Sequence, residues 1–298
     1  MARRGELRLG EPLAGYTTWR VGGPADRLYR PADLTDLTDF LAELPANEPL
    51  LWLGLGSNLL VRDGGFRGTV ILLQGALDHL TVGSEGHIQA GAGLSCARLA
   101  RVLPREGLTG GEFLAGIPGT LGGALALNAG AFGGQTWDWV VRVQVVDRQG
   151  QVRTRERTDF QVGYREVRPV PPRQEWFVGV ELVFQTAKDD SGVQRIRALL
   201  DQRARTQPIG QPSAGSTFRN PPGDHAGRLI EASGLKGLCR GGACISPRHA
   251  NFIVNNGGAT AAAIETLLEE VQQTVEHLYG VQLVPEVHIV GDKLGEGA

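Results

Sequence analysis

A chain of 298 residues can bury a substantial core and exceeds the usual size of one domain, so two or three domains are expected. Hydrophobic residues make up 41% and charged residues 21%, with a formal net charge of -2, which excludes a disordered or fibrous chain. The 30 basic residues, of which only Lys188, Lys236 and Lys293 are lysines, are interleaved with 32 acidic ones, so no broad nucleic-acid surface is expected.

In chain order, MARRGELRLG has no apolar run behind its arginines, and no later segment approaches the roughly 18 apolar residues of a membrane span. A cytoplasmic protein without a membrane partner is expected. Leu34, Leu37, Phe40, Leu41 and Leu44 fall at helical spacing, and PLLWLG at 49–54 follows as a strand. TVILL at 69–73 and HIQAGAG at 87–93 read as two more strands, with Ser95 placed to cap a helix carrying Leu99, Val102 and Leu103. Further on, VVRVQVVDRQGQVRTRE alternates apolar and polar residues on both sides of Gln149-Gly150, a hairpin signal, and WFVGVELVFQ at 176–185 adds a strand. TAKDDSG at 186–192 breaks the pattern and marks a boundary. Beyond it, Val193, Ile196, Leu199 and Leu200 define a helix, followed by the Pro- and Gly-rich loop TQPIGQPSAGSTFRNPPGDHAG. Thr260 is placed to cap a long helix with Ile264, Leu267, Leu268, Val271, Val275 and Leu278 on one face, and VQLVPEVHIV reads as a closing strand.

Few side chains advertise chemistry. Three cysteines, Cys96, Cys239 and Cys244, form no CxxC pair and read as buried thiols; the six histidines are dispersed, so no metal is expected. The stretch GIPGTLGGALALNAGA at 116–131 is instead nearly bare of functional groups. Without Cβ, a backbone reaches positive φ angles and approaches a ligand's phosphates closely. LGLGSNLLV at 53–61 is a second such loop, following a strand, and two loops suit a long anionic ligand. Neither loop fits GxGxxG, and no GxxxxGK[ST] occurs, which disfavours Rossmann and P-loop folds. The alternative is that these glycines serve only tight turns and close packing.

Seven strings in order, TTWRVGGPA (17–25), LGLGSNLLV, GIPGTLGGALALNAGAFGG (116–134), GYR (163–165), PSAGSTFRNP (212–221), AGRLIEASGLKG (226–237) and SPRHANFIVN (246–255), resemble the UDP-N-acetylenolpyruvoylglucosamine reductase family. GSTFRNP is the most diagnostic. The resemblance runs nearly end to end and implies an α+β, three-domain flavoprotein. Vanillyl-alcohol-oxidase-type FAD-binding domains would occupy 1–75, with 284–298 returning to this first one, and 76–188. An α/β substrate-binding domain would occupy 189–283. The implied reaction is NADPH-dependent reduction of the enolpyruvyl ether of a UDP-sugar to UDP-N-acetylmuramate in bacterial cell-wall synthesis, by a monomer. FAD would be held noncovalently, because the first loop offers no histidine and the first one in the chain is His79.

The resemblance assigns roles position by position. Gly54, Gly56, Ser57, Asn58 and Leu59, together with Gly116, Ile117, Pro118, Gly119, Gly122 and Gly123, would wrap the FAD pyrophosphate. Arg165 would hold the substrate carboxylate, since its charge is permanent. Ser216 would protonate the carbon beside that carboxylate; an alcohol is a weak acid, but the carbanion there is far more basic. Glu286, kept protonated by burial or by the substrate anion, would hydrogen-bond the same carboxylate. Tyr164 and Asn220 are matched to substrate binding, and the placement of Arg203, Arg205 and Gln207 suits the diphosphate. Read locally, Arg165 is one of 27 arginines, Ser216 a turn residue and Glu286 an exposed strand residue. Trp19, where the family usually has phenylalanine, and Cys239 and Cys244 depart from its pattern. The chain also lacks room between GYR and GSTF for the tyrosine-bearing loop of the longer type. A flavin oxidase of the same superfamily and a noncatalytic UDP-sugar or nucleotide-binding protein stand as alternatives.

Overall fold

Asp33 accepts the amide of Asp36 on its side chain and so starts helix α1 (Leu34–Glu43), whose apolar spacing buries Leu37, Phe40 and Leu41. These pack with Tyr29, Ile71 and Leu73 beside the strand Leu50–Leu53, which runs parallel to the segment 69–72 of the strand Phe66–Leu72. The computed structural model describes residues 4–295, and the chain divides into two compact units. One comprises the chain up to Arg8 with Arg27–Leu55 and Gly68–Gln202; the other comprises Leu9–Asp26, Gly56–Arg67 and the chain from Arg203. Residues 1–3 and 296–298, the outer ends of two of the expected domain spans, lie outside the described residues.

The first unit also carries a five-stranded antiparallel sheet, in the order Val152–Glu156, Val140–Asp147, Glu175–Val183, His87–Gly91 and Leu80–Val82. The turn between its first two strands is the expected one, with Gly150 at φ 77. Alternation sends Ile88, Val143, Val145, Val180 and Leu182 to one face, against α2 (Cys96–Val102) and α3 (Leu121–Ala126). The same alternation sends Val146 to the opposite face, where it joins the core of α1. Ser95 caps α2 as its position predicts, accepting the amide of Arg98 at 3.2 Å. Helix α4 (Gly192–Thr206) begins where the alternation breaks.

In the second unit, helices α5 (Ala226–Ala232) and α6 (Ala261–Tyr279) cover a small antiparallel sheet of Cys239–Arg240, Ala243–Ile245 and Ile253–Asn255. Ile264, Leu267, Leu268, Val271 and Val275 of α6 are all buried on it, each contributing about 1.5–3 kcal/mol. The Thr260 side chain caps α6 at Ala263, and Gly280, at φ 65, ends the helix. Trp19 is fully buried in this core, its indole donating to the Ile253 carbonyl at 2.7 Å. The strand His288–Val290 lies parallel to Leu59–Val61. Among the described residues no helix is long and apolar enough to cross a membrane.

Two expectations are corrected here. VQLVPEVHIV is a strand only over His288–Val290, because Pro285 has no N–H for a ladder and makes just an isolated bridge to Phe218. Cys239 and Cys244 are not buried thiols: they form a disulfide, with Cys239 exposed. Gly241 and Gly242, at φ 48 and 86, turn the chain so tightly that the two cysteines face each other across the hairpin, Cα atoms 4.1 Å apart. Cys96 is the buried free thiol, and burial pushes its pKa up to about 12.

Candidate active site

The two glycine loops meet in the first unit. A cavity of about 250 Å³ is lined by Trp52, Gly54, Thr120, Gly122, Gly123 and Arg173. A Cβ on Gly54 would lie 2.3 Å from the Thr120 hydroxyl, so the loops touch only because residue 54 is glycine. The Gly122 amide is already donated to the Ala92 carbonyl at 2.8 Å and serves packing. At Gly123, by contrast, a Cβ would meet nothing closer than that hydroxyl at 3.9 Å. The indole nitrogen of Trp52 and one terminal nitrogen of Arg173 are buried, with no hydrogen-bond partner among the described residues. Neither residue is singled out by sequence: Trp52 sits in an ordinary apolar strand and Arg173 in a proline-rich turn. The rest of the second loop is only partly internal. A Cβ on Gly116 would lie 2.5 Å from the Phe132 ring, Ile117 is buried in the core, and the Gly119 carbonyl accepts the Cys96 amide, while Pro118 is exposed.

Arg165 occupies the tip of a hairpin formed by Phe160–Gly163 and Glu166–Pro169, with Tyr164 beside it and 60% exposed. Its φ is 56, a left-handed conformation that costs a non-glycine residue about 1–3 kcal/mol. Its guanidinium donates to the Gly130 carbonyl at 3.2 Å and lies over the Tyr164 ring. The buried Asn128, from the second glycine stretch, steadies the same turn by donating to the Gly163 carbonyl at 3.0 Å. The bare stretch thus also carries the groups that hold the arginine's turn.

The second unit brings Gly56, Ser57, Asn58 and Leu59 together with Ser216 and Glu286. Gly56, at φ 59, crowds the Tyr16 carbonyl, and Leu59 opens the strand that pairs with His288–Val290. The Asn58 side chain donates to the Glu286 carbonyl at 3.0 Å, and its own carbonyl accepts the His288 amide at 3.0 Å. The Glu286 amide in turn donates to the Thr217 carbonyl at 2.8 Å, one residue beyond Ser216. Glu286 and Ser216 are each half-buried, so both reach solvent from one braced patch of backbone. His288 is exposed, and partial desolvation together with nearby Arg219 lowers its pKa.

The remaining candidates lie in the same unit with local partners. Asn220 is exposed, and its side-chain oxygen accepts the Ala226 amide at the start of α5. Arg203 donates to the Gln207 side chain at 2.8 Å, and burial lowers its pKa, whereas Arg205 is exposed.

A curated protein of Alkalilimnicola ehrlichii named UDP-N-acetylenolpyruvoylglucosamine reductase is 62% identical over 288 residues, 97% of this chain and 96% of its own. This chain belongs to that family. It also matches the family's C-terminal domain over residues 207–290 and an FAD binding domain over residues 25–155. Among solved structures, the UDP-N-acetylenolpyruvylglucosamine reductase of Thermus caldophilus aligns with a TM-score of 0.80 at 34% identity, covering 97% of this chain and 99% of its own. The 6-hydroxy-D-nicotine oxidase of Arthrobacter nicotinovorans, at 12% identity and a TM-score of 0.55 over 95% of this chain and 89% of its own, shares the fold. The α+β flavoprotein architecture, FAD as cofactor and NADPH as reductant follow for this reductase. The first unit's cavity fits such a cofactor: glycines leave its wall open, and Trp52 and Arg173, each carrying a buried donor nitrogen, line it.

Proposed function

We propose that Arg165, Ser216 and Glu286 are the groups with which this reductase converts UDP-N-acetylglucosamine enolpyruvate to UDP-N-acetylmuramate. Bound FAD, reduced by NADPH, supplies the hydride that adds to the terminal carbon of the enolpyruvyl group. The addition leaves negative charge on the carbon beside the carboxylate, delocalised as an enediolate. Arg165 stabilises that charge with a guanidinium that cannot be deprotonated, and its strained turn supports the assignment because such strain is retained where a position is needed. Glu286 donates a hydrogen bond to the same carboxylate in its protonated form. Ser216 then gives its proton to the carbon, completing reduction of the double bond, and regains one from solvent. The observation that carries this reading is the hydrogen bond from the Glu286 amide to the Thr217 carbonyl, which makes the proposed acid and proton donor neighbours.

The same proposal assigns Tyr164, Asn220, Arg205 and Gln207 to the substrate. Gly54, Gly123, Trp52 and Arg173 would hold the cofactor, and Gly56, Ser57 and Asn58 are assigned to it as well. It keeps the expected division into 1–75 with 284–298, 76–188 and 189–283, supported by the pairing of His288–Val290 with Leu59–Val61. It extends to a cytoplasmic monomer that engages neither nucleic acid nor membrane: a charged nucleotide sugar and NADPH do not cross membranes unaided, and acids and bases are interleaved along the chain. The oxidase and binding-protein alternatives give way to the near-full-length relatives named as reductases.

The test separates the two half-reactions. Under anaerobic conditions, Ser216→Ala is expected to bleach with NADPH at the parent's rate and to recover its flavin absorbance with the enolpyruvyl substrate at least about 100-fold more slowly. Equal slowing of both phases would remove Ser216 from the role.

A further inference from the structure

The segment SPRHANFIVN (246–255) takes no part in the chemistry proposed above, yet one of its side chains reaches the backbone of the loop that carries Ser216. Asn251 is 4% exposed. Its side-chain oxygen accepts the Phe218 amide at 2.9 Å, and its side-chain nitrogen donates to the Phe218 carbonyl at 2.8 Å. Its own main-chain carbonyl accepts the Thr217 amide at 2.9 Å. One residue therefore satisfies three backbone groups of Thr217 and Phe218, and the pattern of amide and carbonyl leaves only one orientation for the side chain. On the opposite side, the Thr217 carbonyl takes the Glu286 amide at 2.8 Å.

The loop that presents Asn251 is itself tightly tied. The Ser246 hydroxyl accepts the amides of Arg248 and His249, the Ser246 amide donates to the Phe252 carbonyl, and the Asn251 amide donates to a ring nitrogen of His249 at 3.2 Å. His249 packs edge-on against Phe252, and burial lowers its pKa. A rigid loop holding a buried amide against two peptide groups is a device for fixing backbone, and the residue next to the fixed pair is Ser216.

We infer that Asn251 is the positioning residue for the Ser216 hydroxyl in the protonation step, an inference that rests on the role proposed for Ser216. Proton donation to carbon requires the hydroxyl within about 3 Å of its target, and a displacement of about 1 Å is enough to cost about 100-fold in rate. Phe218 and Thr217 cannot slide while Asn251 and Glu286 grip both of their edges, so the serine's approach is set before substrate arrives. Asn251→Asp preserves volume and the acceptor for the Phe218 amide but sets an oxygen against the Phe218 carbonyl. Asn251→Ser shortens the side chain and withdraws it from both groups.

The experiment compares the parent, Asn251→Asp, Asn251→Ser, Ser216→Ala and Ser216→Ala/Asn251→Asp as FAD-loaded enzymes. It measures flavin content, bleaching by NADPH and recovery with the enolpyruvyl substrate. Unchanged flavin content, unchanged bleaching and recovery slowed 10- to 100-fold in the Asn251 variants are expected, with no further slowing when Asn251→Asp is added to Ser216→Ala. Multiplicative slowing in the double variant, equal loss of both phases, or failure of both Asn251 variants to fold would overturn the inference, since the residue would then support the fold at large. If Ser216→Ala blocks recovery while the Asn251 variants recover at the parent's rate, only the positioning role falls. If Ser216→Ala itself recovers normally, the proton-donor reading falls and takes this inference with it.

Discussion

Glycine is the residue on which the site turns, and its positions are not equivalent. At Gly56, with φ 59 and the Tyr16 carbonyl 2.2 Å from where a Cβ would sit, an added methyl has no room. At Gly123, inside α3 and facing the cavity, it has ample room. Gly56→Ala is expected to destabilise the protein by about 2 kcal/mol or more, through backbone strain and overlap together. Gly123→Ala should leave the flavin-free protein as stable as the parent, or up to about 1 kcal/mol more so, because alanine favours helix. Its methyl would project into the cavity proposed for the cofactor, so FAD retention should fall while folding does not. Thermal unfolding of the flavin-free proteins and flavin fluorescence after reconstitution separate the two outcomes; unchanged FAD affinity in Gly123→Ala would show that the residue serves packing alone.

Among the elements, α6 shows how a helix in one part of the chain borrows its start from another. Thr260 supplies the local cap that its sequence position predicts, accepting the Ala263 amide at 3.1 Å. The carboxylate of Asp63, 198 positions away, takes the Ala261 and Ala262 amides at 2.9 Å each. A carboxylate at a helix N-terminus satisfies orphan amides and also complements the helix dipole, so it outweighs a single neutral cap. Thr260→Ala is expected to cost about 1 kcal/mol and Asp63→Ala about 2 kcal/mol, read from urea unfolding midpoints. The reverse ranking would mean that the local cap dominates. The hairpin Cys239–Ile245 works the other way: its turn and its cross-link are wholly local, closed by Gly241 and Gly242.

For the whole molecule, acid stability depends on carboxylates that folding has given partners. Asp36 is buried, and burial opposes its charge. The Tyr29 hydroxyl at 2.6 Å and the amides of Ala32, Arg4 and Gly5 outweigh that penalty and hold the pKa below the ordinary carboxylate value. A folded pKa lower than the unfolded one means the stabilisation is present above about pH 4 and is lost as pH falls through the folded value. Asp36→Asn turns a donor toward groups that already donate, and is expected to cost about 1–3 kcal/mol at pH 7. The penalty should begin to shrink toward pH 3, as the parent starts to lose its own contribution. Thermal unfolding at the two pH values checks this, and a penalty that grows on acidification would contradict it.

Much of this architecture was written in local patterns. The caps at Ser95 and Thr260, the turn at Gln149-Gly150 and the apolar face of α6 all depend on residues within a few positions of one another, where propensity and periodicity act. The order of seven short strings identified the family, and with it the cofactor and reaction, because such strings report descent as well as physics. What stayed hidden needed partners far apart in the chain. Cys239 and Cys244 read as thiols because spacing alone did not reveal that the glycine turn sets them face to face. Trp52 and Arg173 became candidate cofactor donors only once their shared, partnerless burial in one wall was visible. Asn251, embedded in a recognised string, had no legible role until folding laid it along Phe218, 33 residues away. The sequence by itself determined many of the helices and strands and what chemistry the chain belongs to. Tertiary structure decided which buried polar groups find distant partners, since such a group can be satisfied only by what the fold brings within about 3 Å.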